Sequence, residues 1–260
     1  MLRRRLLCTI SIFLCALFSS RAQNLDSLAV GYERIVFEGA GLVETNDALM
    51  AKADCYKQLG RYRDASATLA RVRMFALSPE ERTAVQYQQE LCWFLAGDFG
   101  QAASLVEEVG DGSADALLLH ALVLAYAGRY AESEIYAARY ISWDGPSERL
   151  SELLALYAGA PQAKDQTTAL ALSFFPPLGH FYNGAMGEGL LSGSLNLAAL
   201  AFTVASIASG YWVTGLLGGG IALNYTYMGN IERNAFLVEK HRLNDPISFG
   251  DKVRAFLLSE

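Results

Sequence analysis

Three histidines, His120, His180 and His241, are the side chains best placed to move protons or hold a metal near neutral pH. No two stand at a spacing that would put both on one helix face as ligands. His120 falls in an apolar helical segment and reads as a packing residue, His180 lies ahead of a long apolar run, and His241 sits among charged residues. The carboxylate doublets Glu80-Glu81 and Glu107-Glu108 are adjacent in sequence. Neighbours in sequence point to different sides of a helix, so they read as solvated surface. No phosphate loop or nucleophile elbow is present, and Gly218-Gly219-Gly220 lies in an apolar run where it reads as close helix packing. No catalytic residue, metal or cofactor is predicted, and the chain is expected to bind rather than to catalyse.

The chemistry is bounded by what must position it. Gly189 to Ile231 runs for 43 residues without Asp, Glu, Lys or Arg. A helix crosses a bilayer with about 20 apolar residues. The run therefore predicts two spans, about 189–208 and 212–231, turning at Ser209-Gly210-Tyr211. Residues 1–22 have the form of a signal peptide, with Arg3-Arg4-Arg5, an apolar core from Leu6 to Phe18, and Ser20-Arg21-Ala22 before the cut. Everything from residue 24 onward is then exported. Net charge is -6, and residues 24–188 hold 12 Lys/Arg against 22 Asp/Glu. That acidic body excludes nucleic acid, which needs clustered cations. Membrane lipid remains as a partner through the apolar run. Of four cysteines, Cys55 and Cys92 lie beyond the signal. Both stand five residues before a repeat glycine and read as buried small residues. A disulfide is the alternative in an oxidising compartment.

Residues 24–158 carry helical periodicity and three aligned segments around Gly60, Gly97 and Gly128. Each places an aromatic two residues after the glycine (Tyr62, Phe99, Tyr130) and a small residue five after (Ala65, Ala102, Ser133). A large residue stands four before (Tyr56, Trp93, Leu124), and Ala53 and Ala121 stand seven before, where the middle repeat has Glu90. The pattern resembles the tetratricopeptide repeat. The resemblance implies helix pairs closed by the glycine, and a concave face lined by the first helix of each pair. On these positions that face carries Asp54, Lys57 and Gln58, then Tyr87, Leu91, Phe94 and Leu95, then Leu118, Leu122, Ala125 and Tyr126. Its later part is apolar and should be occupied, either by a protein partner or by the chain's own C-terminal segment.

Residues 159–166 read as a linker, and 167–243 as an interfacial segment plus the spans. Pro177-Leu178-Gly179-His180-Phe181-Tyr182-Asn183-Gly184 resembles the approach to the two-span TM2-type domains, which implies a membrane hairpin and no reaction. Ala201 and Ala205 on the first span, and Gly215 and Gly219 on the second, are predicted to pack the helices closely. Asn196 and Asn224, each 14 residues from Gly210, are predicted to share a depth and to face one another or the same partner. Asn244-Asp245-Pro246 should end the helix, leaving an amphipathic tail over 244–260. The whole reads as all-α: a TPR-like helical-repeat solenoid followed by a two-helix transmembrane hairpin. It is expected in the bacterial inner membrane with the repeats and tail in the periplasm, as a scaffold in envelope assembly. A small transport or protein-insertion component, built as a homo-oligomer of the hairpin, is the alternative.

Overall fold

A computed structural model describes residues 22–39, 41–143 and 148–259. The predicted signal peptide lies outside the described residues, apart from its last position. Every regular element among the described residues is helical. The chain divides into two units. The first runs to Gly159 and takes in residues 250 onward, and the second is Ala160–Phe249.

The first unit begins with α1 (22–37), α2 (Leu42–Gln58), α3 (Tyr62–Leu69), α4 (Pro79–Leu95) and α5 (Phe99–Val109), with α6 (Ala114–Tyr126), α7 (Tyr130–Ile141) and α8 (Leu150–Ala158) after them. From α2 to α8 each helix packs on the next. Local signals set the ends. Ser78 and Glu81 form a reciprocal capping box at α4, with Pro79 at its first turn, and Ser113 caps α6.

The repeat glycines end α2, α4 and α6 in the same way. Gly60, Gly97 and Gly128 have φ of 70°, 74° and 79°, a conformation that costs a residue with a Cβ about 1–2 kcal/mol. In each case the glycine N–H bonds three residues back and the next N–H bonds five back, to Tyr56, Trp93 and Leu124. This is the Schellman arrangement. Ala65, Ala102 and Ser133 are fully buried, so the paired helices meet at the small residue five past the turn. Ser133 keeps its hydroxyl satisfied there, donating to Ala121 O at 2.6 Å and lying 2.6 Å from Tyr157 Oη. Among the described residues, two apolar cores form. One holds Leu49, Ala53, Ala65, Leu69, Val85 and Cys92, and the other Ala102, Val106, Leu119, Val123 and Leu124. Cys55 and Cys92 are free and buried, and burial pushes both thiols up.

In the second unit the linker is irregular up to Asp165, which caps α9 (Gln166–Ser173). Short α10 (Leu178–Tyr182) packs on α9 and on α11 (Met186–Ala208). α11 is long and apolar enough to cross a membrane. The chain turns at Ser209–Tyr211, again with a positive-φ glycine, Gly210. It resumes as a helix whose Thr214–Gly219 stretch is π-helical and packs on α11. The last helix, α12, runs from Gly220 to Leu258.

That last helix corrects the expected stop at Asn244-Asp245-Pro246, since Pro246 lies inside it. Proline in a helix interior removes one hydrogen bond and crowds a carbonyl, at about 3 kcal/mol. Burial on both sides offsets this. Leu237 and Val238 precede the proline, and Phe249, Val253 and Leu257 follow at intervals of one turn. Fully burying side chains of this size contributes about 1.5–3 kcal/mol each.

Candidate functional site

In the first unit the predicted concave-face residues do not share one environment. Tyr87, Leu91, Phe94 and Leu118 are half-buried, whereas Leu122 and Tyr126 are buried. Tyr87, Leu91 and Phe94 pack over the second apolar core. Tyr87 also lines a cavity of about 460 Å³ between α4 and the α5–α6 connection. Thr83, Ala84 and Gln88 share that wall, and Val109 and Ala116 stand opposite. The polar start of this face is tied up locally, with Lys57 Nζ 2.6 Å from Asp54 and 2.9 Å from Gln88 Oε1.

The other end of the face is met by the chain itself. Tyr126 stacks on Phe99 at 4.8 Å between ring centroids and stands edge-on to Phe94 at 5.6 Å. Gly250 lies flat on the Tyr126 ring, where a Cβ would come within 2.6 Å of Cγ. One residue on, Asp251 Oδ1 accepts from Tyr126 Oη at 2.6 Å. Burial, and then this bond, push the phenol up to about 12. The Arg149 guanidinium lies 4.8 Å from the centre of the Phe256 ring and donates to Ser259 Oγ at 3.0 Å.

A second polar feature of this unit went unread in the sequence. Glu90 and His120 are both fully buried, with His120 Nε2 3.1 Å from Glu90 Oε2. The distance suits a hydrogen bond, but the groups are not aligned for one. Burial pushes the Glu90 carboxyl up, with His120 opposing. The Tyr136 ring stands edge-on to the imidazole at 5.1 Å. The visible signal was Glu90 standing where the other repeats have alanine.

In the second unit the predicted asparagine pair is not formed. Asn196 meets Thr226, whose hydroxyl donates to Asn196 Oδ1 at 3.1 Å, and Asn224 is exposed. One turn nearer the start of α11, Ser192 Oγ donates to Asn230 Oδ1 at 3.0 Å. A Cβ on Gly215 or Gly219 would strike Ile207 or Thr203. All these pairs are equidistant from Tyr211 rather than from Gly210. The offset is the same within and beyond the Thr214–Gly219 stretch, so the helices pair about Tyr211, one residue later than the predicted turn centre, and each first-helix position meets a residue two places further on. The first helix is corrected too: Ala201 and Ala205 are exposed, and the packed face is Ala199, Thr203 and Ile207. Gly215 and Gly219 are buried.

Beside these helices lies a buried polar cluster. Asn234 Nδ2 donates to Asn230 O at 2.9 Å and lies 3.1 Å from His180 Nδ1. Asn183 Nδ2 donates to Asn234 Oδ1 at 3.2 Å, and Asn230 Nδ2 to Ser173 O at 2.6 Å. Burial lowers the His180 imidazole, which favours the neutral ring. Gly179 is required here, since a Cβ would lie 2.7 Å from Asn234 Nδ2. His241 joins the rim, with Nε2 3.1 Å from Asn183 O and Nδ1 3.1 Å from Asp245. No group of three His, Cys, Asp or Glu among the described residues is arranged to hold a metal.

Among the described residues these features define an all-helical fold with one helix long and apolar enough to cross a membrane. No family model, curated protein or solved structure matches the chain.

Proposed function

We propose that this protein is a membrane-anchored, periplasm-facing helical-repeat scaffold of the tetratricopeptide type, held by a two-helix hairpin and engaging proteins of envelope assembly. The observation that carries the reading is the divided face of the first unit. Tyr126 is covered by Gly250 and Asp251 of the same chain, whereas Tyr87 fronts a cavity of about 460 Å³. The C-terminal segment thus takes one end of the groove, and a partner's apolar side chain takes the other. Binding is favoured over catalysis because the Glu90–His120 pair of this unit is sealed from solvent. In-cell photocrosslinking tests the reading. A probe at Tyr87 should capture a second protein, and a probe at Phe94 should reach the protein's own residues 250–259. Self-capture alone from both positions defeats the scaffold reading.

A second reading, a transport or insertion component, is favoured by the polar seam of Ser192, Asn196, Thr226 and Asn230 along α11 and the helix paired with it. It requires that Asn196→Leu abolish function while Tyr87→Ala is tolerated.

A further inference from the structure

The seam of the second unit opens into a groove of about 380 Å³ between α11 and α12. Its character changes along its length. At one end Arg233 binds Glu188 through two hydrogen bonds of 2.8 Å, and both side chains are nearly half-exposed. One turn further along α11 come Ser192 and Asn230, and one turn beyond that Asn196 and Thr226. Leu191, Leu195 and Tyr225 form exposed apolar walls. At 1.5 Å per residue the hydroxyl and amide layers lie about 6 and 12 Å from the charges.

We infer that this groove is a binding site for a zwitterionic glycerophospholipid with a primary ammonium head, namely phosphatidylethanolamine. The inference rests on the reading of α11 as a membrane span. The order of charge, hydrogen-bonding groups and hydrocarbon along the groove is the order met on entering a bilayer leaflet. Its interfacial layer is about 5–8 Å deep before the hydrocarbon begins. The charges specify the head. Glu188 and Arg233 are side by side, so an ammonium reaches the carboxylate as a phosphate reaches the guanidinium, which offers a fork of donors. An anionic head without a cation would satisfy Arg233 and be repelled by Glu188. A trimethylammonium head has the charge but no N–H to donate. Below the head, Ser192 and Asn230, about 6 Å from the charges, lie at the depth of the ester carbonyls, and one acyl chain lies along Leu191, Leu195 and Tyr225.

The test uses the full-length protein, extracted from membranes in mild detergent. It is exposed to an equimolar mixture of phosphatidylethanolamine, phosphatidylcholine and phosphatidylglycerol, and retained lipid is counted by native mass spectrometry. Phosphatidylethanolamine should be retained about tenfold over phosphatidylglycerol, as one charge-assisted hydrogen bond gained and one repulsion avoided would give. Glu188→Gln should bring the two ammonium lipids to parity. Leu195→Trp, on an exposed wall where folding is not at stake, should reduce retention of all three. Equal retention by the unaltered protein, or an unchanged preference in Glu188→Gln, overturns the lipid site while leaving the membrane span standing. Recovery of the protein in the aqueous fraction without detergent overturns both.

Discussion

Glu90 fills a place that the first and third repeats give to Ala53 and Ala121, and the difference sets a pH dependence. Its carboxyl is raised above its ordinary 4.5 by burial, so the folded chain holds the proton more tightly than the unfolded chain. Stability from this group is greatest below 4.5 and declines as pH rises towards the folded value. Glu90→Gln removes the ionisation and keeps the shape. In urea titrations its unfolding midpoint should gain on that of the unaltered protein as pH rises from 4.5 to 8. Glu33 has the opposite sign. Hydrogen bonds from Arg71 and Lys52 hold its carboxyl down to about 2. Its contribution is present above 4.5 and fades as pH falls from 4.5 towards 2. Glu33 is 41% exposed, so screening limits the effect to about 1 kcal/mol. Glu33→Gln should cost that much at pH 7 and nothing at pH 2.

At the scale of elements, the glycines separate two physical roles. A Cβ on Gly97 meets nothing within 4 Å, so Gly97→Ala probes only the positive φ. It should cost about 1–2 kcal/mol in thermal unfolding. Within the second unit, a Cβ on Gly219 would stand 2.8 Å from Thr203 Cα, while one on its neighbour Gly218 has ordinary contact with Phe202. Gly219→Ala should destabilise by about 1–3 kcal/mol through overpacking. Gly218→Ala should be neutral or stabilising by up to about 1 kcal/mol through helix propensity. The contrast shows what a sequence discloses. The repeat turns were legible because glycine, an aromatic two later and a small residue five later are all local consequences of one turn geometry. The seam was not, because whether Asn196 meets position 224 or 226 depends on whether the helices pair about Gly210 or Tyr211, which residue type does not decide. Helix continuation through Pro246 was equally hidden, being decided by burial on both sides of it. The Glu90–His120 pair needs two helices in register before either residue has a partner.

At the scale of the molecule, the first unit depends on residues distant in sequence. Gly250→Ala would push a methyl group into the Tyr126 ring, and Tyr126→Phe would delete the bond to Asp251 at about 1 kcal/mol. Both should quicken protease cleavage within residues 250–259, with Gly250→Ala the stronger, when limited digestion is followed by mass spectrometry. The acidic body and the membrane-length helix were legible at this scale from composition alone. The return of residues 250–258 to the first unit was one of two occupants that the apolar later part of the predicted face left open.

That return has a consequence for biogenesis. The second unit interposes 90 residues, Ala160–Phe249, between Gly159 and the segment that covers Tyr126. At about 5–20 residues per second a ribosome takes roughly 5–20 s to make them. Over that interval the Tyr126 face of the first unit is without its cover. The interval is a window in which a holdase can meet that face before the chain's own tail arrives.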